Sequence, residues 1–241
     1  MSGHSKWASI KHSKGKADKQ RSKVFSKLSK EISVAAKLGD KDPAMNPRLR
    51  SAIQAAKSAN MPKDNIERAI AKSSANSEIN YENLRYEGFG PDKIAVIVEA
   101  FTDNKNRTVA EVRHAFTKAG GNLGTDGSVA YMFDNMGQFH FAPGADEEAL
   151  MEVAIEVGAE DVETAEDGSI EVTTDPGDFL TVKEALLEAG FEPEMSELGM
   201  VAQNLTELDP DASEKVIRLI DHLEDLDDVQ NVYTNAAFSD E

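Results

Sequence analysis

Between Gln138 and Asn204, residue patterns typical of strands and helices follow each other in the order strand, helix, strand, strand, helix, strand. The predicted strands are 138–141, 162–165, 169–174 and 200–204, and the predicted helices are 146–157 and 179–188. Asp167-Gly168 lies between the two middle strands and is typical of a tight hairpin turn. This order is that of the split βαβ, or ferredoxin-like, arrangement, so this segment is predicted to form a ferredoxin-like α/β domain.

An incomplete copy of the same pattern precedes this segment. It has a strand at 93–101, a helix at 108–119 with Thr108 and Glu111 placed as a capping box, and a strand at 128–133. Residues 119–133 also resemble residues 157–174, with a helix end, a strand, an Asp-Gly turn and a strand in each. The missing helix and strand are predicted at 213–226 and 229–236. The second α/β domain is therefore predicted to be inserted into the first.

The N-terminal part of the chain is predicted to be helical throughout. Apolar residues recur at helical spacing up to Leu38, and Gly39 follows as a helix end. Asn46-Pro47 is typical of a helix start, and Met61-Pro62 of a helix stop. A third helix is predicted at 63–72, and a polar linker at 73–80. The predicted fold class is α+β, with an all-helical domain at 1–80, a ferredoxin-like domain at 81–134 plus 205–241, and an inserted ferredoxin-like domain at 135–204.

Charge is distributed very unevenly along the chain. The net charge is −18, yet residues 1–75 hold 17 lysines and arginines against 6 aspartates and glutamates, a net charge of +11. The remainder holds 9 basic and 38 acidic residues, a net charge of −29. Such asymmetry indicates an end that faces nucleic acid.

The basic residues of the first helix lie on one side of it. Six lysines, at positions 16, 19, 23, 27, 30 and 37, fall within about 40° of one line, opposite the apolar residues. A polar, basic arm containing Trp7 precedes them, and an aromatic ring can stack on a base or sugar. The candidate nucleic-acid-binding residues are Lys6, Trp7, Lys11, His12, Lys14, Lys16, Lys19, Arg21, Lys23, Lys27, Lys30, Arg48 and Arg50.

A second candidate phosphate contact lies in the acidic part of the chain. Four of its nine basic residues are close together in one loop and helix: Lys105, Arg107, Arg113 and Lys118. The alternative is that these side chains only neutralise neighbouring carboxylates. Gly120, Gly121, Gly124 and Gly127 are better explained by turns than by a phosphate loop, since no Gly-Lys-Ser/Thr follows.

Several classes of protein are disfavoured. The chain has no cysteine, no apolar run long enough to span a membrane, and no apolar segment after its basic start, which together favour the cytoplasm and no membrane association. No catalytic signature was found, so the chain is expected not to be an enzyme, and no cofactor or metal is expected. Acidic clusters such as 224–228 leave a metal-dependent nuclease as a weaker alternative.

Several long motifs resemble one family. They are GHSKW at 3–7, IKH at 10–12, NPRLR at 46–50, ANMPKDNIERAI at 59–70, TDNKNRT at 102–108 with its continuation VRHAFTKAGGNLGTDGSVAYMF, and DVQNVYTN at 228–235. With these motifs the chain resembles the YebC/PmpR family over essentially its whole length. The resemblance implies a helical domain and two α/β domains, and a cytoplasmic DNA-binding transcriptional regulator.

Two partners remain open for the basic surface. The leading expectation is DNA, with the acidic α/β domains limiting non-specific binding or meeting a protein partner. The alternative is a ribosome-associated translation factor or translational activator that binds ribosomal RNA, which the resemblance also implies for some relatives. A face of lysines recognises phosphate in either polymer, so the sequence does not separate the two.

Overall fold

The computed structural model describes residues 17–73 and 81–239, and for residues 17–23 and Ser58 it describes the backbone alone. Within these ranges a helical N-terminal region is followed by two units that each contain an antiparallel sheet. The predicted α+β fold class is confirmed.

The helical domain has three helices at the predicted positions. They are α1 (Ala17–Leu38), α2 (Pro47–Ser58) and α3 (Lys63–Lys72). Asn46 begins α2 as predicted, because its side-chain oxygen accepts a hydrogen bond from the backbone N–H of Leu49 at 3.0 Å. Its Nδ2 also donates to the carbonyl oxygens of Ala35 and Asp40, at 2.8 and 2.7 Å. Asn46 therefore ties the beginning of α2 to the end of α1.

The apolar face of α1 forms the core of this domain. Ile32 and Ala35 are buried against Leu49 and Ala56 of α2 and Ile66 of α3. Burying these side chains leaves the opposite face of α1 for polar and basic residues.

The α/β part begins at Glu82. In chain order its elements are β1 (Glu82–Phe89), β2 (Ala95–Thr102), α4 (Lys105–Lys118), β3 (Asn122–Leu123), β4 (Phe133–Phe141), α5 (Glu147–Glu156), β5 (Ala159–Thr164), β6 (Ile170–Thr174), α6 (Phe179–Glu188), β7 (Met195–Ala202), β8 (Thr206–Glu207), α7 (Pro210–Glu224), β9 (Val229–Thr234) and β10 (Ala236–Ala237). One four-stranded sheet has the order β3-β1-β2-β9, and the other has the order β5-β6-β4-β7. The short strands β8 and β10 pair with each other.

The second sheet has the predicted ferredoxin-like arrangement. Its strands β4, β5, β6 and β7 alternate with α5 and α6 in the order strand, helix, strand, strand, helix, strand. The hairpin of β5 and β6 turns at Gly168, where φ is +83° and glycine is favoured. This unit lies between β3 and α7 in the chain, while α7 and β9 complete the first unit.

The first sheet differs from the prediction in its first strand. Strand β1 was not predicted, because its sequence ENLRYEGF is polar and resembles the linker before it. In the structure β1 lies between β2 and β3 and pairs with both. Pairing on both sides stabilises a strand whose own hydrophobicity is low.

The strand predicted at 128–133 is wrong. Residues Ala130–Met132 form a single 3₁₀ turn, and Phe133 begins β4 of the inserted sheet. The reason is Glu87 of β1, whose buried carboxylate accepts hydrogen bonds from the N–H groups of Gly127, Val129 and Ala130 at 2.6, 3.0 and 2.6 Å. These N–H groups are therefore unavailable to a sheet, and the glycine-containing loop is closed by the protein's own carboxylate.

Replacing Glu87 by glutamine is expected to destabilise the fold by about 2 kcal/mol, because a neutral amide accepts these hydrogen bonds less strongly. Burial alone would raise the pKa of Glu87, but the three N–H donors and the charge of Arg85 hold it below its ordinary value. This stabilisation is present above the pKa of an unfolded glutamate and is lost as the pH falls through the lower folded pKa. Urea unfolding of the variant and of the exposed control Glu82→Gln measures the difference, and equal stability of the two would contradict the assignment.

The capping box predicted at Thr108 and Glu111 is also wrong. Helix α4 begins three residues earlier, where the side-chain oxygen of Asn104 accepts a hydrogen bond from the N–H of Arg107 at 3.1 Å. The Thr108 hydroxyl instead reaches Asp228, at 2.9 Å. The hydroxyl that local spacing predicts as a helix cap thus donates a hydrogen bond to a carboxylate that is distant in the sequence.

The two faces of the first sheet pack against different neighbours. Along β2, Val96 and Val98 face a core shared with α4 and α7. Ala95 and Ile97 point to the other side, where they pack with Phe133 of the inserted unit. This alternation, which follows from the two-residue period of a strand, places α4 and α7 on the face opposite the inserted unit.

Candidate nucleic-acid interface

Many residues of the predicted basic surface come earlier in the sequence than the first described side chain, at residue 24. Lys6, Trp7, Lys11, His12, Lys14 and Lys16 lie outside the described residues. Lys19, Arg21 and Lys23 lie in the first turns of α1, where the backbone is helical. Their contact with phosphate stays a prediction.

Lys27 and Lys30 point from α1 towards the first α/β unit. The Lys27 ammonium donates a hydrogen bond to the carbonyl oxygen of Glu224, at the end of α7. The Lys30 ammonium donates to the carbonyl oxygen of Phe101 and lies 3.5 Å from a carboxylate oxygen of Asp228. The middle of the lysine face therefore takes part in docking the helical domain onto the α/β body.

Two aromatic rings complete the environment of Lys30. Tyr81 and Phe101 are stacked with their centroids 4.9 Å apart. The Lys30 Nζ atom lies 5.1 Å from the first centroid and 5.3 Å from the second. These distances suit cation–π attraction, which holds the ammonium at the junction.

Asp228 is the centre of the junction. Its side chain is 5% exposed, and its carboxylate accepts hydrogen bonds from Nε and Nη2 of Arg107, at 3.1 and 2.8 Å, and from the hydroxyl of Thr108. Burial alone would raise the pKa of Asp228, but the hydrogen bonds from Arg107, Thr108 and Thr102 and the charge of Lys30 hold it below its ordinary value. Residues from three separated parts of the chain thus meet at one carboxylate.

Arg107, predicted as a secondary phosphate contact, is engaged within the protein. Its guanidinium also contacts Asp103, at 2.9 Å, and stays 45% exposed. For this residue the geometry supports the interpretation that it neutralises neighbouring carboxylates. A cleft of about 510 Å³ opens beside it, lined by Ser26, Lys27, Lys30, Tyr81, Asp103, Arg107, Asp225, Asp227 and Asp228. Four aspartates among nine lining residues make this cleft a poor receptor for phosphate.

The other predicted arginines of the helical domain are exposed but have contacts. Arg48 pairs with Glu31, with 2.8 Å between Nε and Oε1. Arg50 donates to the carbonyl oxygens of Pro43 and Ala44, at 3.0 and 3.3 Å. Arg48 therefore joins α2 to α1, Arg50 contacts the loop between them, and both side chains stay exposed.

Lys105, Arg113 and Lys118 are exposed on α4. Arg107 of the same helix reaches the junction with α1 through Asp228, which also pairs with Lys30. Contact of Lys105, Arg113 and Lys118 with phosphate stays a prediction.

Asp228 was missed as a functional position by residue-based reasoning. In the sequence it belongs to the acidic cluster 224–228, and its signal is its place at the beginning of the motif DVQNVYTN. Among the described residues, no group of three or more His, Asp or Glu side chains is placed to hold a metal ion. Within the same ranges, no helix is long and apolar enough to cross a membrane.

Two family models match most of the chain. The N-terminal domain of the TACO1/YebC protein matches residues 5–76, and the TACO1/YebC second and third domain matches residues 81–236. The chain belongs to the TACO1/YebC family. The gap between the two matches falls within the linker predicted at 73–80, and the resemblance carried by the sequence motifs is confirmed.

Relatives in this family are similar over nearly their full length. A probable transcriptional regulatory protein of Francisella tularensis subsp. tularensis is 60% identical over 242 aligned positions, which cover 100% of this chain and 98% of the relative. One from Francisella tularensis subsp. novicida is equally similar. The crystal structure of the conserved hypothetical protein Aq1575 from Aquifex aeolicus is 47% identical, with a TM-score of 0.84 over 96% of both chains. The name of the relatives supports a TACO1/YebC regulator.

Proposed function

We propose that this TACO1/YebC protein is a cytoplasmic transcriptional regulator that binds DNA through its phosphate backbone, using the basic N-terminal arm and α1. The observation that carries the proposal is the segregation of charge, with +11 in residues 1–75 against −29 in the remainder. Concentrating like charge costs self-repulsion, and a polyanionic partner relieves it. The names of the relatives support a role in regulation.

The structure supports two different roles for the lysines along α1, docking of the α/β body and binding of DNA. Lys27 and Lys30 hold the α/β body at the middle of the lysine face, so DNA is expected to use the arm and the turns before them, with Lys16, Lys19 and Lys23. The acidic inserted unit is expected to repel DNA and to limit non-specific binding, or to meet a protein partner. The proposed activity is binding and involves no catalysis.

Crosslinking in cells followed by sequencing tests the choice of partner. Recovery of promoter DNA is the expected result, because the relatives are named as transcriptional regulators. Recovery of ribosomal RNA without promoter DNA would overturn the proposal and favour the translation factor. A chain with the seven basic residues of positions 1–23 replaced by glutamine serves as the control, since crosslinks that depend on the basic arm should disappear with it.

A further inference from the structure

The basic residues of the α/β part are concentrated on two helices. Nine lysines and arginines follow residue 80, and six of them are on α4 and α7. These six are Lys105, Arg107, Arg113, Lys118, Lys215 and Arg218. The inserted unit, residues 133–202, has one lysine against 19 aspartates and glutamates. The two helices pack on the face of the first sheet that is opposite this acidic unit.

Helices α4 and α7 meet through a pair of histidines. The rings of His114 and His222 have their centroids 6.1 Å apart, in an edge-to-face arrangement. The helices run antiparallel, because Arg107 at the beginning of α4 contacts Asp228 just after the end of α7. At 100° per residue, His114 and Lys118 lie on one line of α4, and Lys215, Arg218 and His222 lie on one line of α7.

Lys118 and the two histidines, which are cationic when protonated, therefore lie close together along the seam between α4 and α7. Burial, Lys118 and His114 lower the pKa of His222, and Asp225 opposes them. Among the described residues Lys118 has no ion pair, while Arg218 pairs with Glu214 on its own helix. A cation such as Lys118 that has no ion pair within the described part of the chain, on an otherwise acidic body, is electrostatically costly, and a bound anion would relieve that cost.

The seam is continuous with the helical domain. Lys27 of α1 contacts the carbonyl oxygen of Glu224, two residues after His222. A polymer bound at the first turns of α1 would therefore reach the end of α7 beside Lys27, and then α4. Arg107 lies outside this path, because Asp228 and Asp103 occupy its guanidinium.

We propose that His114, Lys118, Lys215, Arg218 and His222 form a second phosphate-binding surface, over which nucleic acid held by the basic arm and α1 continues onto the α/β body. This inference rests on the proposed binding of nucleic acid and adds its second contact surface. It keeps Lys118 of the sequence-based set and replaces Lys105, Arg107 and Arg113 with His114 and three residues of α7. The ligand chemistry is the phosphodiester backbone, in DNA or RNA.

The surface makes binding sensitive to pH. A phosphate beside His222 raises its pKa, so protons are taken up on binding, and affinity rises as the pH falls through the histidine range. Acidic groups near His222 make this dependence of the affinity on pH smaller. The titratable or charged groups placed around His222 by contact or helical position are His114, Lys118 and Glu111 of α4, Lys27 of α1, and Arg218, Asp221 and Asp225 of its own segment.

Fluorescence anisotropy of the full chain with a labelled duplex tests the proposal, at about pH 6 and about pH 8 and about 0.15 M salt. The double variant Lys118→Gln/His222→Asn is expected to bind about tenfold more weakly than wild type at the lower pH and about fivefold more weakly at the higher pH. Its plot of log affinity against log salt should be less steep by about 1 to 2. The control Lys183→Gln removes the lone lysine of the inserted unit and should bind as wild type.

A second measurement separates binding from folding. In NMR titrations of the wild-type protein, the pKa of His222 should rise when the duplex is added, and His114→Gln should reduce that rise. If the double variant binds as wild type while loss of the arm's charges abolishes binding, this surface is excluded and the proposed function stands. If the wild-type protein binds neither duplex DNA nor RNA, both proposals are overturned.

Discussion

Replacing Lys16, Lys19 and Lys23 by glutamine is expected to weaken binding to duplex DNA on the order of 100-fold at about 0.15 M salt. Lys19 and Lys23 lie in the first turns of α1, ahead of the two lysines that dock onto the α/β body, and sequence spacing predicts Lys16 on the same line. Each phosphate contact contributes about −0.9 to the slope of log affinity against log salt. If the wild-type protein makes about five contacts, its slope is near −4.5, and the triple variant should retain a slope near −1.8.

The matched control neutralises three lysines on the other helices of the same domain. Lys57, Lys63 and Lys72 are exposed on α2 and α3, and their replacement by glutamine removes the same total charge. Anisotropy titrations at several salt concentrations should show little change for this control. Equal losses of affinity in the two triple variants would mean that binding depends only on net charge. An unchanged affinity of the Lys16, Lys19 and Lys23 variant would rule out the lysine face as the binding surface. Deleting residues 1–23 should abolish binding altogether.

Replacing Asp228 by alanine is expected to destabilise the protein by about 2 to 3 kcal/mol, because Arg107, Thr108 and Lys30 lose their common acceptor. The figure is at the lower end of the range for a broken buried pair, since Arg107 is 45% exposed and keeps Asp103. The folded pKa of Asp228 is depressed, so its stabilisation is present above the pKa of an unfolded aspartate and is lost as the pH falls through the folded pKa.

Urea unfolding at neutral and acidic pH measures this loss. Asp227→Ala is the matched control, because Asp227 is exposed and lines the same cleft. A double-mutant cycle with Arg107→Gln and Asp228→Asn should give a coupling energy of about 1 to 3 kcal/mol. A coupling energy near zero, or the same loss for Asp227→Ala, would show that the junction does not depend on this carboxylate.

Local signals predicted the elements whose stability is local. The starts of three helices were predicted to within one or two residues. The signals were the spacing of Phe25, Leu28 and Ile32, the cap at Asn46 and the stop at Met61-Pro62. In the inserted unit the alternation of patterns also predicted the order of strands and helices along the chain. Periodicity and capping work in these cases because the apolar face of an element is determined by its own residues.

The prediction failed where a distant residue decides the local structure. Glu87 turns residues 130–132 away from a strand, and pairing with β2 and β3 makes a strand of the polar segment ENLRYEGF. The Thr108 hydroxyl, which the sequence predicts as a helix cap, donates its hydrogen bond to Asp228. The Glu87–Val129 and Thr108–Asp228 hydrogen bonds join residues that are 42 and 120 positions apart, which no local window contains.

The sequence alone determined the segregation of charge that indicates nucleic-acid binding. It also determined the three N-terminal helices and the inserted ferredoxin-like order, because charge, period and turn chemistry are properties of neighbouring residues. The tertiary structure decided which basic residues remain for a partner. Lys27, Lys30 and Arg107 are used within the protein, whereas Lys118 and His222 come together with His114 on an outer surface. That selection depends on which groups meet across the packed domains, since a cation held by a buried carboxylate is already neutralised and only an unneutralised cation gains from a phosphate.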